Sequence, residues 1–152
     1  MERVIQHVGD IDGLVAEAVR ITRPGGRVVL VDSDWGSLMV YPGDRELVNR
    51  ITGVFADRIL PDAWAGRRLH DALVRHGLVD VRSEIHPVQA DAGVLVTLGA
   101  MYERFVGSKL MTQAQADDHL AEMARAFEAG SAVYAVSAFV ASGRVPDDRP
   151  SP

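Results

Sequence analysis

The chain contains no cysteine. Disulfides, thiolate nucleophiles and thiolate metal sites are thereby excluded, and the composition is compatible with a reducing cytoplasm. Long apolar runs are also missing. The longest, near Val28–Val31 and Val94–Val96, fall far short of the ~20 residues that cross a bilayer. At the N-terminal end Glu2, Arg3 and His7 interrupt the apolar residues, which is not the pattern of a secretory leader. A cytoplasmic chain with no membrane partner is the expectation. Positive charge is in short supply: the formal net charge is −5, and no Lys/Arg cluster overrides that sign. That balance argues against a general nucleic-acid binder. Arg67 and Arg68 form a local basic spot, and two arginines on a helix usually belong to a solvated face.

Several chemical signatures are absent as well. Ser33 lies between Asp32 and Asp34, but no Gly-x-Ser-x-Gly motif surrounds it, which argues against a serine hydrolase. His70 and His76 are neither i,i+3 nor i,i+4 partners, and no ligand set completes a metal site around them. No glycine-rich nucleotide loop follows a strand. Gly25-Gly26 does not replace one, because it precedes a strand.

What is present suits one soluble α/β domain of 152 residues, 47% hydrophobic and 24% charged. Met1–Val8 reads as a strand end followed by a loop. Asp10 or Asp12 is a helix N-cap ahead of Ile11, Leu14, Val15, Ala18 and Val19, which recur at helical spacing. Pro24-Gly25-Gly26 stops that helix. The unbroken run Val28–Val31 predicts a parallel strand buried on both faces. A loop over Ser33–Gly43 is expected next. Asp44 then caps a helix with the stripe Val48, Ile51, Phe55 and Ile59, and Pro61-Asp62 starts another carrying Leu69, Leu73 and Val74, with Gly77 at its C′ position.

Leu78–His86 alternates, with Val79, Val81 and Ile85 on its better-covered side. Asp91–Leu110 reads as helical. Thr112 and Gln115 have capping-box spacing before a helix bearing Ala116, Leu120, Met123, Ala124 and Phe127, which Gly130 ends. Ser131–Ser142 is the last strand. The two C-terminal strands can pair antiparallel. Residues 1–142 are expected to form one unit, and residues 143–152, with three prolines, a disordered tail.

Several of these pieces carry a resemblance when taken in order. They are Glu2-Arg-Val-Ile-Gln-His-Val8, Arg23-Pro-Gly-Gly-Arg27 leading into Asp32-Ser-Asp34-Trp35, Gly66-Arg-Arg-Leu69, His76-Gly-Leu-Val-Asp-Val81 and Tyr134–Gly143. Together they resemble the C-terminal half of a class I S-adenosylmethionine-dependent methyltransferase of the ubiquinone/menaquinone-biosynthesis type, from the exit of the fourth strand through the seventh. The resemblance implies a partial Rossmann-like methyltransferase fold with three or four strands, the C-terminal pair antiparallel, flanked by helices. The family's glycine-rich cofactor loop and ribose-binding acid belong to the other half and are not found here. The expectation is therefore a truncated, methyltransferase-like chain that is inactive alone, with S-adenosylmethionine as cofactor by resemblance and a small molecule as methyl acceptor.

In this family the loops after the fourth and fifth strands line the pocket at the carboxyl edge of the sheet. The matching positions implied for the cofactor are Arg3 and Gln6. His7 is a candidate general base, since imidazole titrates near neutrality, or else a histidine at a helix start bonded to a backbone group. Asp34 either orients substrate and takes a proton or stabilises a turn. Asp32 and Trp35 are candidate substrate contacts, and simple loop packing is the alternative for Trp35. Tyr102 and Phe105 lie on the helical insertion that often forms a lid in this family; otherwise they are core residues of a helix pair. A different class of function is an interaction module without catalysis. With Val28–Val31 covered on one flank only by Met1–Ile5, an exposed sheet edge invites a homodimer or a complex with an N-terminal partner chain. A third reading is a binding pocket repurposed after loss of the cofactor site.

Overall fold

The structure is a computed structural model that describes residues 2–58 and 60–148, with the side chains of Phe55 and Arg58 left aside. Three strands form one sheet: β1 (Arg27–Tyr41), β2 (Val79–Gln89) and β3 (Val133–Arg144), in the order β1-β3-β2. The last strand thus returns to the middle. Gly25 N–H donates to Val145 O and Val145 N–H to Gly26 O, while Ala90 N–H donates to Tyr134 O, so β3 runs antiparallel to both neighbours. On the outer side of β1, Glu2 makes a parallel bridge with Val31, and Arg3 N–H donates to Val31 O at 2.8 Å. Among the described residues the helices are α1 (Ile5–Val8), α2 (Ile11–Ile21), α3 (Arg45–Arg58), α4 (Ala65–Arg75), α5 (Val94–Gly107) and α6 (Gln113–Glu128).

The α/β class and the antiparallel C-terminal pair agree with the sequence reading. The expected parallel strand buried on both faces does not. Val28 and Leu30 are buried, while Val29 is 42% exposed, so β1 alternates like a strand covered on one side. The physical reason is that the core cluster joins Val28, Leu30 and Ala141 of the sheet to residues of α1, α2 and α4 on one face. The strand also continues through the stretch expected to be a loop, as far as Tyr41. Pairing with β3 persists there because Ser37 Oγ accepts the backbone N–H of Ser137. On β2, Ile85 is 60% exposed, so the expected covered side is largely open, and only Val81 packs on the core.

The expectation of a single unit gives way to two compact units. The first comprises residues 1–37, 52–88 and 136–152 and holds that core. Its helices begin and end where the sequence chemistry puts them. Asp10 Oδ1 accepts from Gly13 N–H and caps α2. At the end of α4, Gly77 adopts φ +74°, and Gly77 and Leu78 return N–H bonds to Val74 O and Leu73 O, a Schellman closure. Helix α4 starts at Ala65 and not at Pro61, because Asp62 closes a turn by accepting Trp64 N–H on Oδ1 and Ala65 N–H on its carbonyl. The expected tail is shorter than read: β3 runs to Arg144 and Val145 is fully buried, since it pairs with the Gly25-Gly26 turn. Residues 149–152 of that tail lie outside the described residues, as does Ile59 of the α3 stripe.

The second unit, residues 38–51 and 89–135, packs α5 against α6. Asp44 caps α3 through bonds from Glu46 N–H and Leu47 N–H. Thr112 and Gln115 form the full capping box of α6, and Gly130 at φ +68° follows its end. Inside this unit His119 is buried and bonds Pro42 O through Nε2 and the Tyr102 hydroxyl through Nδ1. A carbonyl only accepts, so Nε2 carries the proton and Nδ1 is left to accept from Tyr102. Burial raises the Tyr102 phenol well above its ordinary value, with the neighbouring Tyr134 phenol adding to the shift, and pushes Tyr134 up to about 12.

At Gly66, helix α4 meets the backbone of β1. A Cβ there would meet Asp32 O and the Ser33 carbonyl carbon at 2.9 Å and Asp34 N at 3.0 Å, all backbone atoms of β1. Backbone in a paired strand cannot move aside. Gly66→Ala is therefore expected to destabilise the fold by about 1–3 kcal/mol. Gly99→Ala, where nothing lies within 4 Å inside α5, should instead gain up to about 1 kcal/mol from helix propensity. Urea unfolding of the two variants tests the packing; equal effects would contradict it.

Candidate functional site

The site is built at the carboxyl end of the first half of β1, within the first unit. Strand alternation sends Asp32 and Asp34 toward the same side as Val28 and Leu30, where α1 and α4 lie. Both carboxylates are buried. Asp32 is consumed by local bonds: Oδ1 accepts Ser33 N–H and Oδ2 accepts Gln6 N–H at the start of α1. Asp34 is 3% exposed and holds Arg67 of α4, with Oδ2 at 2.7 Å from Nε and 2.5 Å from Nη2. Its Oδ1 accepts Gly36 N–H. The Arg67 guanidinium in turn lies over the Trp64 indole, 4.5 Å from the ring centroid.

Gln6 ties the remaining pieces together. Trp35 Nε1–H, which can only donate, reaches Gln6 Oε1 at 2.6 Å. That fixes the amide orientation, so Gln6 Nε2 donates to His7 Nε2 at 3.1 Å and the exposed imidazole carries its proton on Nδ1 when neutral. The Gln6 carbonyl accepts Asp62 N–H, and Trp35 N–H donates to Ala63 O. The 61–64 turn is thereby hung on the end of β1 and the start of α1. It forms one wall of an open groove of about 450 Å³ lined by Ala56, Asp57, Leu60, Pro61, Asp62, Ala63, Trp64 and Arg68. Asp62 Oδ2 binds Arg68 Nη1 at 2.6 Å. A second, smaller cavity of about 150 Å³ lies on the sheet between Arg3, Val31, Asp32 and Val136.

The sequence-predicted residues therefore meet in part. Gln6, His7, Asp32, Asp34 and Trp35 share one hydrogen-bonded region, and Arg3 lies beside Asp32 at the smaller cavity. Asp34 faces Arg67 and not open space, so it acts here by holding α4. Trp35 is tied down by its ring N–H, which favours packing over substrate cover. His7 has a side-chain partner in place of the expected backbone one. Tyr102 and Phe105 belong to the second unit and are buried in it, with the Tyr102 hydroxyl bound to His119, which supports the helix-core alternative.

Asp62, Trp64, Gly66 and Arg68 join the site through the structure alone. Their signal in the sequence is the run Asp62-Ala-Trp-Ala-Gly-Arg-Arg68, in which the two arginines of the basic spot each answer a buried carboxylate. Among the described residues no cluster of three potential metal ligands occurs, and no helix is long and apolar enough to cross a membrane.

No known protein-family profile matches the sequence. Over 68 residues, 45% of this chain and 20% of the relative, it is 41% identical to an uncharacterized 37.1 kDa protein in transposon TN4556 of Streptomyces fradiae. Two solved structures of Haemonchus contortus phosphoethanolamine N-methyltransferase 2 are similar at 17% and 18% identity, each with a TM-score of 0.44. One is in complex with phosphomonomethylethanolamine and S-adenosylhomocysteine, the other with S-adenosyl-L-methionine. The alignments cover 95% of this chain and 32% of those chains. This chain thus spans about a third of the length of these solved structures and a fifth of the transposon protein.

The Asp34–Arg67 pair sets a testable energy. Arg67→Ala leaves the Asp34 carboxylate buried without its cation. Full burial of both partners would make that loss several kcal/mol, but Arg67 is partly solvated, so about 1–3 kcal/mol is expected. Adding Asp34→Asn should recover part of the loss in a double-mutant cycle followed by urea unfolding. Additive effects would mean the two groups are not coupled.

Proposed function

We propose that this chain is the C-terminal portion of a class I S-adenosylmethionine-dependent methyltransferase-like domain that acts on a small-molecule acceptor. The observation that carries the reading is the parallel contact of Glu2 and Arg3 with Val31, which sets the Gln6-His7 segment beside Asp32 at the close of the first half of β1. The resemblance expects the exit of one strand next to the following strand at this place. Carboxyl ends of neighbouring parallel strands are where open α/β sheets bind ligands, and the 61–64 turn that walls the groove is bonded to Gln6 and Trp35 at this place.

Methyl transfer asks a protein to align nucleophile and sulfonium and to exclude water, with at most one proton removed. In this arrangement His7 is the exposed imidazole, and it takes a proton on Nε2 only by giving up the bond it accepts there from the Gln6 amide. Asp32, Asp34 and Trp35 position the two helices and the 61–64 turn around the groove. Arg3 and Gln6 border the side assigned to S-adenosylmethionine.

These 152 residues include no glycine-rich loop after a strand, so the isolated chain should bind the cofactor weakly or not at all. Calorimetry with S-adenosylmethionine is expected to show no saturable heat, and a micromolar constant would overturn the need for a separate cofactor half. DNA upstream of the Met1 codon should encode, in frame, a strand followed by a Gly-x-Gly-x-Gly segment; its absence would sink the methyltransferase reading of this chain.

A further inference from the structure

We propose that the groove beside Trp64 binds a small organic cation, an alkylated or quaternary ammonium group. The inference rests on the proposed function, taking this groove as the place where the small-molecule acceptor binds, and names the chemistry of that ligand.

The charged residues on the groove wall are Asp57, Asp62 and Arg68. Asp62 and Arg68 satisfy each other at 2.6 Å, and Asp62 is buried. Two carboxylates against one guanidinium leave the groove with a formal excess of one negative charge, carried by the exposed Asp57. An anionic ligand would have to displace Asp62 from Arg68 and approach Asp57.

Trp64 adds the second half of the recognition. It is 52% exposed, although it is a large aromatic next to a well-packed helix. Its ring is held in place on one side by Arg67, and its Nε1 edge lies close over Gly36, where a Cβ would come within 2.8 Å. Trp64 lines the groove and Arg67 does not. The charge of Arg67 is neutralised by Asp34 at 2.5–2.7 Å, so it does little to repel a cation across the ring. An indole and a nearby carboxylate without an ion pair among the described residues form the usual pairing for ammonium ligands. Leu60, Pro61 and Ala63 supply apolar contact for N-alkyl groups.

The test uses the full chain with no S-adenosylmethionine present, and choline chloride as the probe. Its neutral isostere 3,3-dimethylbutan-1-ol and benzoate serve as comparators. The Trp64 indole N–H resonance is followed by nitrogen–proton correlation spectra. Choline is expected to shift it saturably, with the neutral alcohol roughly tenfold weaker or worse. Trp64→Leu should weaken choline binding by about tenfold, Trp64→Phe by less, and Asp57→Asn by roughly threefold to tenfold. Asp57 lies on an exposed helix turn, so that variant keeps the fold if Trp64→Leu does not. Equal binding of choline and the alcohol, a preference for benzoate, or no saturable shift at millimolar choline would each overturn the proposal. Because the cofactor is absent, such a failure is separate from a failure of the methyl-transfer reading.

Discussion

A carboxylate at the end of an apolar strand must find a cation or a set of donors, and in this chain Asp34 finds Arg67. The rest of the site depends on that pair. It joins β1 to α4 at the point where Gly66 lets the helix touch the strand backbone. It sets the guanidinium that supports Trp64, and it leaves Arg68 turned toward Asp62. Without the glycine, the helix would stand off and the two N–H groups of Arg67 would not reach one carboxylate oxygen. Packing and electrostatics therefore act at the same place and in the same direction.

Gln6 is the polar counterpart of this contact. A buried primary amide has two donors and an oxygen to satisfy, and it is satisfied here by Trp35 and His7, while its backbone serves Asp32 and Asp62. One side chain thereby aligns the start of α1, the end of β1 and the turn before α4. This is how a short N-terminal segment with one parallel bridge is held firmly against the sheet. The carboxylates that look most catalytic in the sequence are bonded to the same elements, Asp32 to the N–H groups of Gln6 and Ser33 and Asp34 to Arg67. The groups left accessible are His7, Asp57, Trp64 and Arg68.

The legible parts of the fold were those governed by local chemistry. The Asp10, Asp44 and Thr112 caps, the glycines after α4 and α6, and the strands after them depend on residues within a few positions of one another. Errors arose where a remote partner decides. The run Val28–Val31 reads as doubly buried because nothing in it says that helices cover one side. The stretch Ser33–Tyr41 reads as a loop because its partner, β3, is about a hundred residues away. Val145 looks like part of a tail until it pairs with Gly25-Gly26. The site was legible in the same proportion: Gln6, Asp32, Asp34 and Trp35 were named, but their partners on the 62–68 segment were not.

By itself the sequence determined the α/β class, the places where helices start and stop, and the set of polar residues delivered to the end of the first long strand, because each is a property of neighbouring residues. Only the tertiary structure decided what those polar residues do. Whether a carboxylate meets a substrate or an arginine depends on which helix packs across the strand, and that is settled by a contact between Gly66 and a backbone more than thirty positions earlier.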